Sequence, residues 1–202
     1  MISNVARYQR IAPFYDLLDL PFERKRYASL RPLMFRNLGG RLLDAGIGTG
    51  RNCAYYPPGA DVSGIDTSPA MLERARVRCP TVAAAGHLYQ MDVTNLKFSN
   101  GSFDAAVATF LFCVLPNDLQ VPALQELGRV VKPGGLIRLL EYARPTGTLR
   151  RFKSRLWQTW IAWAYGASFD RETERHVPEA GLQIVESRYV VDDLLKLITA
   201  RA

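Results

Sequence analysis

The feature that most restricts the fold of this chain is the stretch LLDAGIGTGRN at residues 42–52, where a short apolar run passes through an acid into a series of glycines. Such a run predicts a buried β-strand that ends in a tight turn. Gly46, Gly48 and Gly50 occupy every second position, so a ligand can lie against backbone without meeting side chains. The stretch therefore predicts a strand whose carboxyl end carries a ligand-binding turn.

Strand-like and helical patterns alternate along the rest of the chain. We expect strands at 41–46, 61–66, 87–92, 103–112 and 136–142, then two paired strands within 182–191 and 194–202. We expect helices at 22–38, with Pro32 as a break, at 68–78 and at 118–131. This order predicts an α/β fold with a doubly wound, seven-stranded, mostly parallel sheet and one antiparallel strand near the C-terminus. Ligands of such sheets bind at the carboxyl ends of the strands.

Three acids at predicted strand ends indicate the ligand. Arg51 stands where a dinucleotide-binding GxGxxG motif needs its third glycine, so the spacing is GxGxG and disfavours an NAD-dependent oxidoreductase. Asp44 suits a ligand with an amino group or a positive charge. Asp66, twenty residues after Gly46, suits ribose hydroxyls. Asp92 suits the exocyclic amine of an adenine, with Met91 beside the ring. Together these groups point to S-adenosylmethionine.

The chain resembles the class I S-adenosylmethionine-dependent methyltransferases over about residues 8–142. The resemblance lies in LLDAGIGTGRN, VSGIDTSPAMLERAR, YQMDV, FDAAVATFLFCVL and LGRVVKPGGLIRLLEY, in that order. Within the class it is greatest to the ubiquinone/menaquinone-biosynthesis type, a branch that includes a bacterial phospholipid N-methyltransferase and small thiol methyltransferases. The opening RYQRIAPFYDLL is similar to the N-terminal lid of this family, which implies that Tyr15 closes over the cofactor.

The resemblance implies four groups of cofactor-binding residues besides Tyr15. They are Asp44, Gly46, Gly48 and Gly50 at the methionine end; Asp66, with Thr67 or Met71, at the ribose and adenine; Met91 and Asp92 around the adenine; and Thr109 and Phe110 facing the sulfonium.

Methyl transfer needs alignment and exclusion of water more than it needs a base, because the cofactor supplies the chemical drive. An acceptor that arrives as an ammonium or a phenol must first lose a proton. The candidate catalytic residues for that step are Tyr15, Glu141 and Tyr142, and their spacing singles out none of them. His87 and His176 are expected to be structural or surface residues, and a metal site is not expected.

The positive charge is concentrated in two segments. Residues 1–41 hold eight Lys or Arg and three acids, and residues 142–171 hold six and one, which gives each segment a net charge of +5. Four of the cations, Arg150, Arg151, Lys153 and Arg155, precede Trp157, Trp160 and Trp163. Cations beside tryptophans are typical of a helix at an anionic membrane surface. The alternative is a lid helix that packs its tryptophans onto the core.

These observations leave three hypotheses for the function. The first is a methyltransferase for an amphiphile at the membrane surface, such as phosphatidylethanolamine or a prenylated quinol. The second is a soluble small-molecule or thiol methyltransferase. The third is a protein that binds S-adenosylmethionine without catalysis. No nucleic-acid partner is expected, since the chain lacks a base-flipping NPPY-type tetrad and a Pro-Cys nucleophile.

The length of 202 residues predicts a single methyltransferase domain. Its expected parts are lid helices at 1–40, the cofactor core at 41–142, an acceptor-side or interfacial insertion at 143–170, and a closing helix and strands at 171–202. Cys53, Cys79 and Cys113 are odd in number and widely spaced, so neither a disulfide framework nor a metal pair is expected. A cytoplasmic protein, peripheral on the inner face of the membrane in the first hypothesis, fits this pattern.

Overall fold

The structure is a computed structural model that describes residues 15, 23–143, 167–168 and 171–202. The strands are β1 (Arg41–Ala45), β2 (Asp61–Asp66), β3 (Leu88–Gln90), β4 (Phe103–Thr109), β5 (Val131–Tyr142), β6 (Gln183–Val191) and β7 (Leu195–Arg201). The α-helices are α1 (Arg31–Phe35), α2 (Pro69–Arg78), α3 (Pro80–Ala84), α4 (Asn117–Val130) and α5 (Thr173–Glu179). A π-helical turn covers Glu23–Tyr27, and two short 3-10 helices cover Cys53–Tyr55 and Phe112–Val114.

The seven strands form one sheet in the order β3-β2-β1-β4-β5-β7-β6. The pairs from β3 to β5 are all parallel, and β7 runs antiparallel to both β5 and β6. The predicted sheet, with its single antiparallel strand near the C-terminus, is therefore confirmed. The order of strands reverses between β1 and β4, and the carboxyl ends of these strands are where the glycine turn and Thr109 lie.

Both faces of the central strands β1, β2 and β4 are buried, which is the reason for their near-continuous apolar sequences, whereas the edge strand β6 is largely exposed. Side chains of neighbouring residues in one strand pack into the apolar clusters on opposite faces of the sheet. Leu42 packs with Met34 and Leu72 on one face, whereas Leu43 packs with Leu124 and other residues of α4 on the other face. This alternation is the physical basis of the doubly wound arrangement.

Several element boundaries differ from the expectation. The predicted helix at 22–38 is divided into the π-helical turn and α1, and Pro32 lies in the first turn of α1, where its missing N–H costs nothing. The strand predicted to reach residue 112 ends at Thr109, because Phe110 adopts a φ of 57° that β-structure does not allow. Helix α2 begins as expected, with the Ser68 side chain accepting a bond from the Met71 N–H.

The expectation that the cysteines form no disulfide is wrong. Cys53 and Cys79 form a disulfide bond, with their Cα atoms 5.7 Å apart and a sequence separation of 26. The pair meets because β1 and β2 run side by side, which brings the chain after β1 next to the end of α2. Cys113 is a free, buried cysteine. The cysteines therefore do not support the prediction of a cytoplasmic protein.

Within the described ranges, no helix is long and apolar enough to cross a membrane. The four cations and three tryptophans of the predicted interfacial segment lie outside the described residues.

Candidate functional site

A cavity of about 380 Å³ opens at the carboxyl ends of the parallel strands. We divide its wall into two sides. The glycine side consists of Gly46, Ile47, Gly48, Thr49, Arg51, Asn52, Ile65, Asp66, Thr67, Met71, Met91, Asp92 and Val93. The aromatic side consists of Tyr15, Tyr27, Phe110, Leu111, Cys113, Val114, Leu115, Pro116, Leu119, Tyr142 and Ala167. Arg31 and Thr109 also line the cavity.

Gly48 and Gly50 of the turn are glycines for different reasons. All three glycines of the turn have positive φ, which favours glycine over other residues. A Cβ on Gly48 would meet nothing nearer than the Gly46 carbonyl oxygen at 3.9 Å, so this position leaves space toward the cavity. A Cβ on Gly50 would lie 2.5 Å from the Cys79 sulfur. Gly50 is therefore required by the packing beneath the turn, and it is absent from the cavity wall as the structure describes it.

Asp66 links the glycine turn to the start of α2. Its Oδ2 accepts a hydrogen bond from the Gly48 N–H at 3.0 Å, and its Oδ1 accepts one from the Ser68 N–H at 2.8 Å. Burial raises the pKa of this carboxyl, and the backbone N–H groups oppose the rise. The predicted ribose-binding acid therefore lines the cavity in a fixed orientation.

The predicted adenine residues lie on the same side of the cavity. Met71, Met91 and Val93 supply apolar surface, and Asp92 supplies a carboxylate. Asp92 Oδ1 accepts hydrogen bonds from the N–H and the hydroxyl of Thr94, at 2.9 and 2.8 Å, which fixes the orientation of its side chain. An apolar slot between two oriented carboxylates, Asp66 and Asp92, has the chemistry that an adenosine needs.

Asp44 lies one layer behind the cavity. It is fully buried and is not among the lining residues that the structure describes. Its carboxylate accepts bonds from Asn52 Nδ2 at 3.0 and 3.1 Å and from the Tyr56 hydroxyl at 2.7 Å. Burial raises the pKa of Asp44 to about 6, although the bonds from Tyr56 and Asn52 oppose the rise. Asn52, which does line the cavity, therefore connects the Asp44 carboxylate to it, and the contact of Asp44 with a cationic group of the ligand stays a prediction.

Sequence reasoning missed Asn52 and Arg31, which do line the cavity. Asn52 also donates to Thr109 Oγ1 at 3.2 Å, and its Oδ1 accepts from Arg31 Nη1 at 2.6 Å. Arg31 forms a bidentate ion pair with Glu23, at 2.6 and 2.8 Å, and Arg51 approaches the same carboxylate at 3.3 Å. The asparagine two residues after Gly50 was the available signal for Asn52. Arg31 gave no signal, because a cation in a helical pattern is normally at the surface.

Glu141 does not contribute to the described cavity wall. Its buried carboxylate accepts three backbone hydrogen bonds, from the N–H groups of Leu111, Phe112 and Cys113 at 2.9 to 3.0 Å. Burial raises the pKa of Glu141 to about 7 against the lowering effect of these bonds. The carboxylate thus holds the chain that follows Phe110. Of the three candidate bases, Tyr15 and Tyr142 line the cavity.

Comparison with known proteins agrees with this geometry. The profile of the methyltransferase domain family matches residues 42–135. A phosphatidylethanolamine N-methyltransferase of Cereibacter sphaeroides is 33% identical over 153 residues, which cover 73% of this chain and 72% of that protein. The chain belongs to the S-adenosylmethionine-dependent methyltransferases.

Two further relatives carry different acceptors in their names. A ubiquinone/menaquinone biosynthesis C-methyltransferase of Syntrophotalea carbinolica is 38% identical over 151 residues, which cover 70% of this chain and 62% of that protein. This chain therefore spans less than two thirds of the length of that relative. A thiol S-methyltransferase of Rattus norvegicus is 30% identical over 176 residues, which cover 81% of this chain and 68% of that protein.

Solved structures share the fold of this methyltransferase. A methyltransferase of Thermotoga maritima described as a possible histamine N-methyltransferase superposes with a TM-score of 0.73 at 20% identity, over 97% of this chain and 99% of that one. A geranyl diphosphate C-methyltransferase of Streptomyces coelicolor, crystallised with S-adenosyl-L-homocysteine, superposes with a TM-score of 0.68 at 15% identity, over 88% of this chain and 80% of that one.

The glycine side fits the cofactor of this family. The space in front of Gly48 admits a ligand close to the backbone, and the cavity wall combines the carboxylates of Asp66 and Asp92 with apolar side chains that suit an aromatic ring. Arg31 and Arg51 add positive charge beside the glycine turn, where a methionine carboxylate would lie. The residues present are therefore compatible with S-adenosylmethionine.

Proposed function

We propose that this protein transfers a methyl group from S-adenosylmethionine to an amphiphilic acceptor at a membrane surface, such as the amine of a phospholipid or a prenylated quinol. The observation that carries the proposal is the aromatic side of the cavity. Val114, Leu115, Pro116, Leu119 and Ala167 give this side an apolar wall, which suits an acceptor with a hydrophobic body.

The names of two relatives support this class of acceptor, since one acts in quinone biosynthesis and another on phosphatidylethanolamine. The two basic segments, 1–41 and 142–171, would bring the cavity to an anionic surface, because each carries a net charge of +5. Tryptophans 157, 160 and 163 would lie at the boundary between headgroups and acyl chains.

Each part of the cavity has a proposed task. Bound S-adenosylmethionine supplies an activated methyl group. Asp66 holds the ribose and Asp92 the adenine, while the glycine turn, Arg31 and Asn52 orient the methionine end. The apolar and aromatic wall excludes water and aligns the acceptor. Glu141 acts through the loop that it holds, and Tyr15 and Tyr142 remain the candidates for contact with the reacting group of the acceptor.

The second candidate is a methyltransferase for small soluble molecules or thiols. It is favoured by the thiol S-methyltransferase relative, whose aligned region covers 81% of this chain. In that case the tryptophans of residues 157–163 would form a pocket wall. A protein that binds the cofactor without catalysis is disfavoured by the family assignment and by the complete set of methyltransferase motifs in the sequence.

Methyl transfer from radiolabelled S-adenosylmethionine tests the two candidates directly. The purified protein is incubated with a total lipid extract, and in parallel with a panel of small thiols, phenols and amines. Label in the lipid phase is the expected result. Label found only in soluble acceptors would contradict the membrane proposal and support the second candidate.

A further inference from the structure

Two tyrosine hydroxyls from distant parts of the chain meet on the aromatic side of the cavity. Tyr27 ends the π-helical turn, Tyr142 ends β5, and their hydroxyl oxygens are 2.5 Å apart. Both side chains line the cavity, and Tyr27 is only 6% exposed. A buried tyrosine hydroxyl normally has a polar partner, and here the two hydroxyls partner each other at the cavity wall.

Phe110 fixes the position of this pair. Its ring centroid lies 4.8 Å from that of Tyr27 and 5.3 Å from that of Tyr142. Phe110 has a φ of 57°, a conformation that is costly for a bulky side chain. The Phe110 N–H bonds to the Leu140 carbonyl at 2.9 Å, and Glu141 holds the three residues that follow. Strain that the surrounding structure maintains is typical of functional sites.

Charge is distributed unevenly along the cavity. In the part of the chain that the structure describes, the carboxylates of the cavity wall are Asp66 and Asp92, and both belong to the glycine side. The aromatic side offers tyrosine hydroxyls, ring faces and one thiol among aliphatic groups. This environment disfavours an acceptor that must be deprotonated in place, since Glu141 is turned away toward backbone N–H groups.

We infer that the Tyr27–Tyr142 hydroxyl pair binds the reacting group of the acceptor, and that this group is a neutral primary or secondary amine on an apolar body. The inference rests on the proposed methyltransferase function and names its acceptor class. A hydroxyl oxygen accepts a hydrogen bond from the amine N–H, which leaves the nitrogen lone pair to face the methyl group.

The proton balance of an amine fits this pocket. The ammonium form releases its proton to water before it enters the apolar cavity, because burial disfavours the charged form. The nitrogen lone pair then forms the bond to the methyl carbon, and the electron pair of the carbon–sulfur bond returns to the sulfur. The product is a methylated ammonium that keeps its N–H proton. The tyrosine and phenylalanine rings stabilise the developing positive charge by cation–π contact.

The test compares Tyr27→Phe, Tyr142→Phe and the double variant, all of which keep the rings and remove hydroxyls. The acceptor probes are dihexanoyl phosphatidylethanolamine and octylamine as amines, an alkyl hydroquinone as a phenol, and octanethiol as a thiol. Tyr89→Phe is the matched control, because Tyr89 is a partly buried tyrosine that packs on Phe98 and does not line the described cavity.

With an amine probe, we expect each single variant to lose about tenfold in kcat/KM, which is the effect of one lost hydrogen bond. The double variant should lose little more than either single one, since the two hydroxyls act as a unit. Cofactor affinity in calorimetry should stay within about twofold of the original protein, because the pair lies outside the glycine side. A purely structural role would instead lower the melting temperature, cofactor affinity and all acceptor activities together.

Three results would overturn the inference: unchanged amine kinetics in all variants, a parallel loss of cofactor binding, or methylation of the hydroquinone or thiol but not of an amine. The proposed membrane function fails separately. If octylamine is methylated in a Tyr27-dependent way but phospholipid is not, the amine site stands and the proposal of a membrane-lipid acceptor falls.

Discussion

At the scale of single residues, the buried acids of this protein divide into two kinds. Asp44 and Glu141 direct their carboxylates at protein groups, Asn52 and Tyr56 in the first case and three backbone N–H groups in the second. Asp66 is also held by backbone, yet it lines the cavity. The difference matters because only an acid at the wall can bind a ligand directly.

Asp66→Ala should lower the affinity for S-adenosylmethionine by at least about tenfold, since hydrogen bonds to a charged group contribute about 1.5–3 kcal/mol. Isothermal titration calorimetry measures the affinity, and the melting temperature checks the fold. Asp61→Ala is the control, because Asp61 begins the same strand and is exposed. Unchanged affinity in Asp66→Ala would refute the assignment of this acid to the cofactor.

Glu141 should make stability depend on pH. Its pKa is raised from 4.5 to about 7 in the folded protein, so the folded state binds the proton more tightly than the unfolded state. The free energy of unfolding should therefore decrease as the pH rises from about 4.5 to 7. Asp44, raised from 3.8 to about 6, acts in the same direction over a lower range.

Glu141→Gln removes this titrating group. The free energy of unfolding of the variant, relative to that of the original protein, should therefore be higher at pH 8 than at pH 5. Urea denaturation at the two pH values measures the change. Glu126→Gln is the control, because its lowered pKa keeps Glu126 ionised throughout this range. The explanation fails if the difference in stability between Glu141→Gln and the original protein is the same at both pH values.

At the scale of elements, the glycine turn is supported from below by the disulfide. Cys53 lies in the 3-10 helix after the turn, and Cys79 follows the last residue of α2. Arg78 adds two hydrogen bonds to Thr49, at 2.7 and 2.9 Å. The two segments that carry the glycine turn and Met71 are thus joined covalently and by hydrogen bonds.

Reduction of the disulfide should lower the free energy of unfolding by about 2–4 kcal/mol, because the cross-link restricts the unfolded chain. Thermal unfolding with and without dithiothreitol measures the effect. Cys53→Ala should have the lower stability in both conditions. Cys113→Ala should keep the sensitivity to reductant, and loss of that sensitivity would contradict the observed pairing.

At the scale of the whole molecule, the positive charge is concentrated in the segments 1–41 and 142–171, whereas the rest of the chain has a net charge of −3. Positive charge that is concentrated in this way favours binding to an anionic surface. The described wall of the cofactor site, by contrast, is balanced, with the two acids Asp66 and Asp92 and the two arginines Arg31 and Arg51.

Replacing Arg150, Arg151, Lys153 and Arg155 with Gln should weaken sedimentation with anionic vesicles by more than tenfold at low salt, since each cation near the surface contributes about 1 kcal/mol. The control makes the same change in net charge with Gln at four exposed positions elsewhere, Arg76, Arg175, Arg188 and Arg201. If both variants bind equally, net charge alone explains the binding and the interfacial segment is excluded.

The local pattern of the sequence determined the fold and the glycine side of the site. Apolar runs that stop at glycine or aspartate indicate strand ends, and parallel strands bring those ends to one edge. Gly48, Asp66, Met91 and Asp92 were predicted for this reason, Met71 was implied by the family resemblance, and all five line the cavity. Their contact with the cofactor remains a prediction.

Only the tertiary structure decided which side chains face the cavity and which face each other. Tyr27 and Tyr142 are 115 residues apart, and Cys53 and Cys79 are separated by a strand and a helix. Glu141 points at backbone N–H groups, although its place at a strand end resembles that of Asp66. The spacing of residues along the chain indicates local conformation. Contacts between distant residues depend instead on how helices and strands pack, and the sequence of a single segment does not reveal that packing.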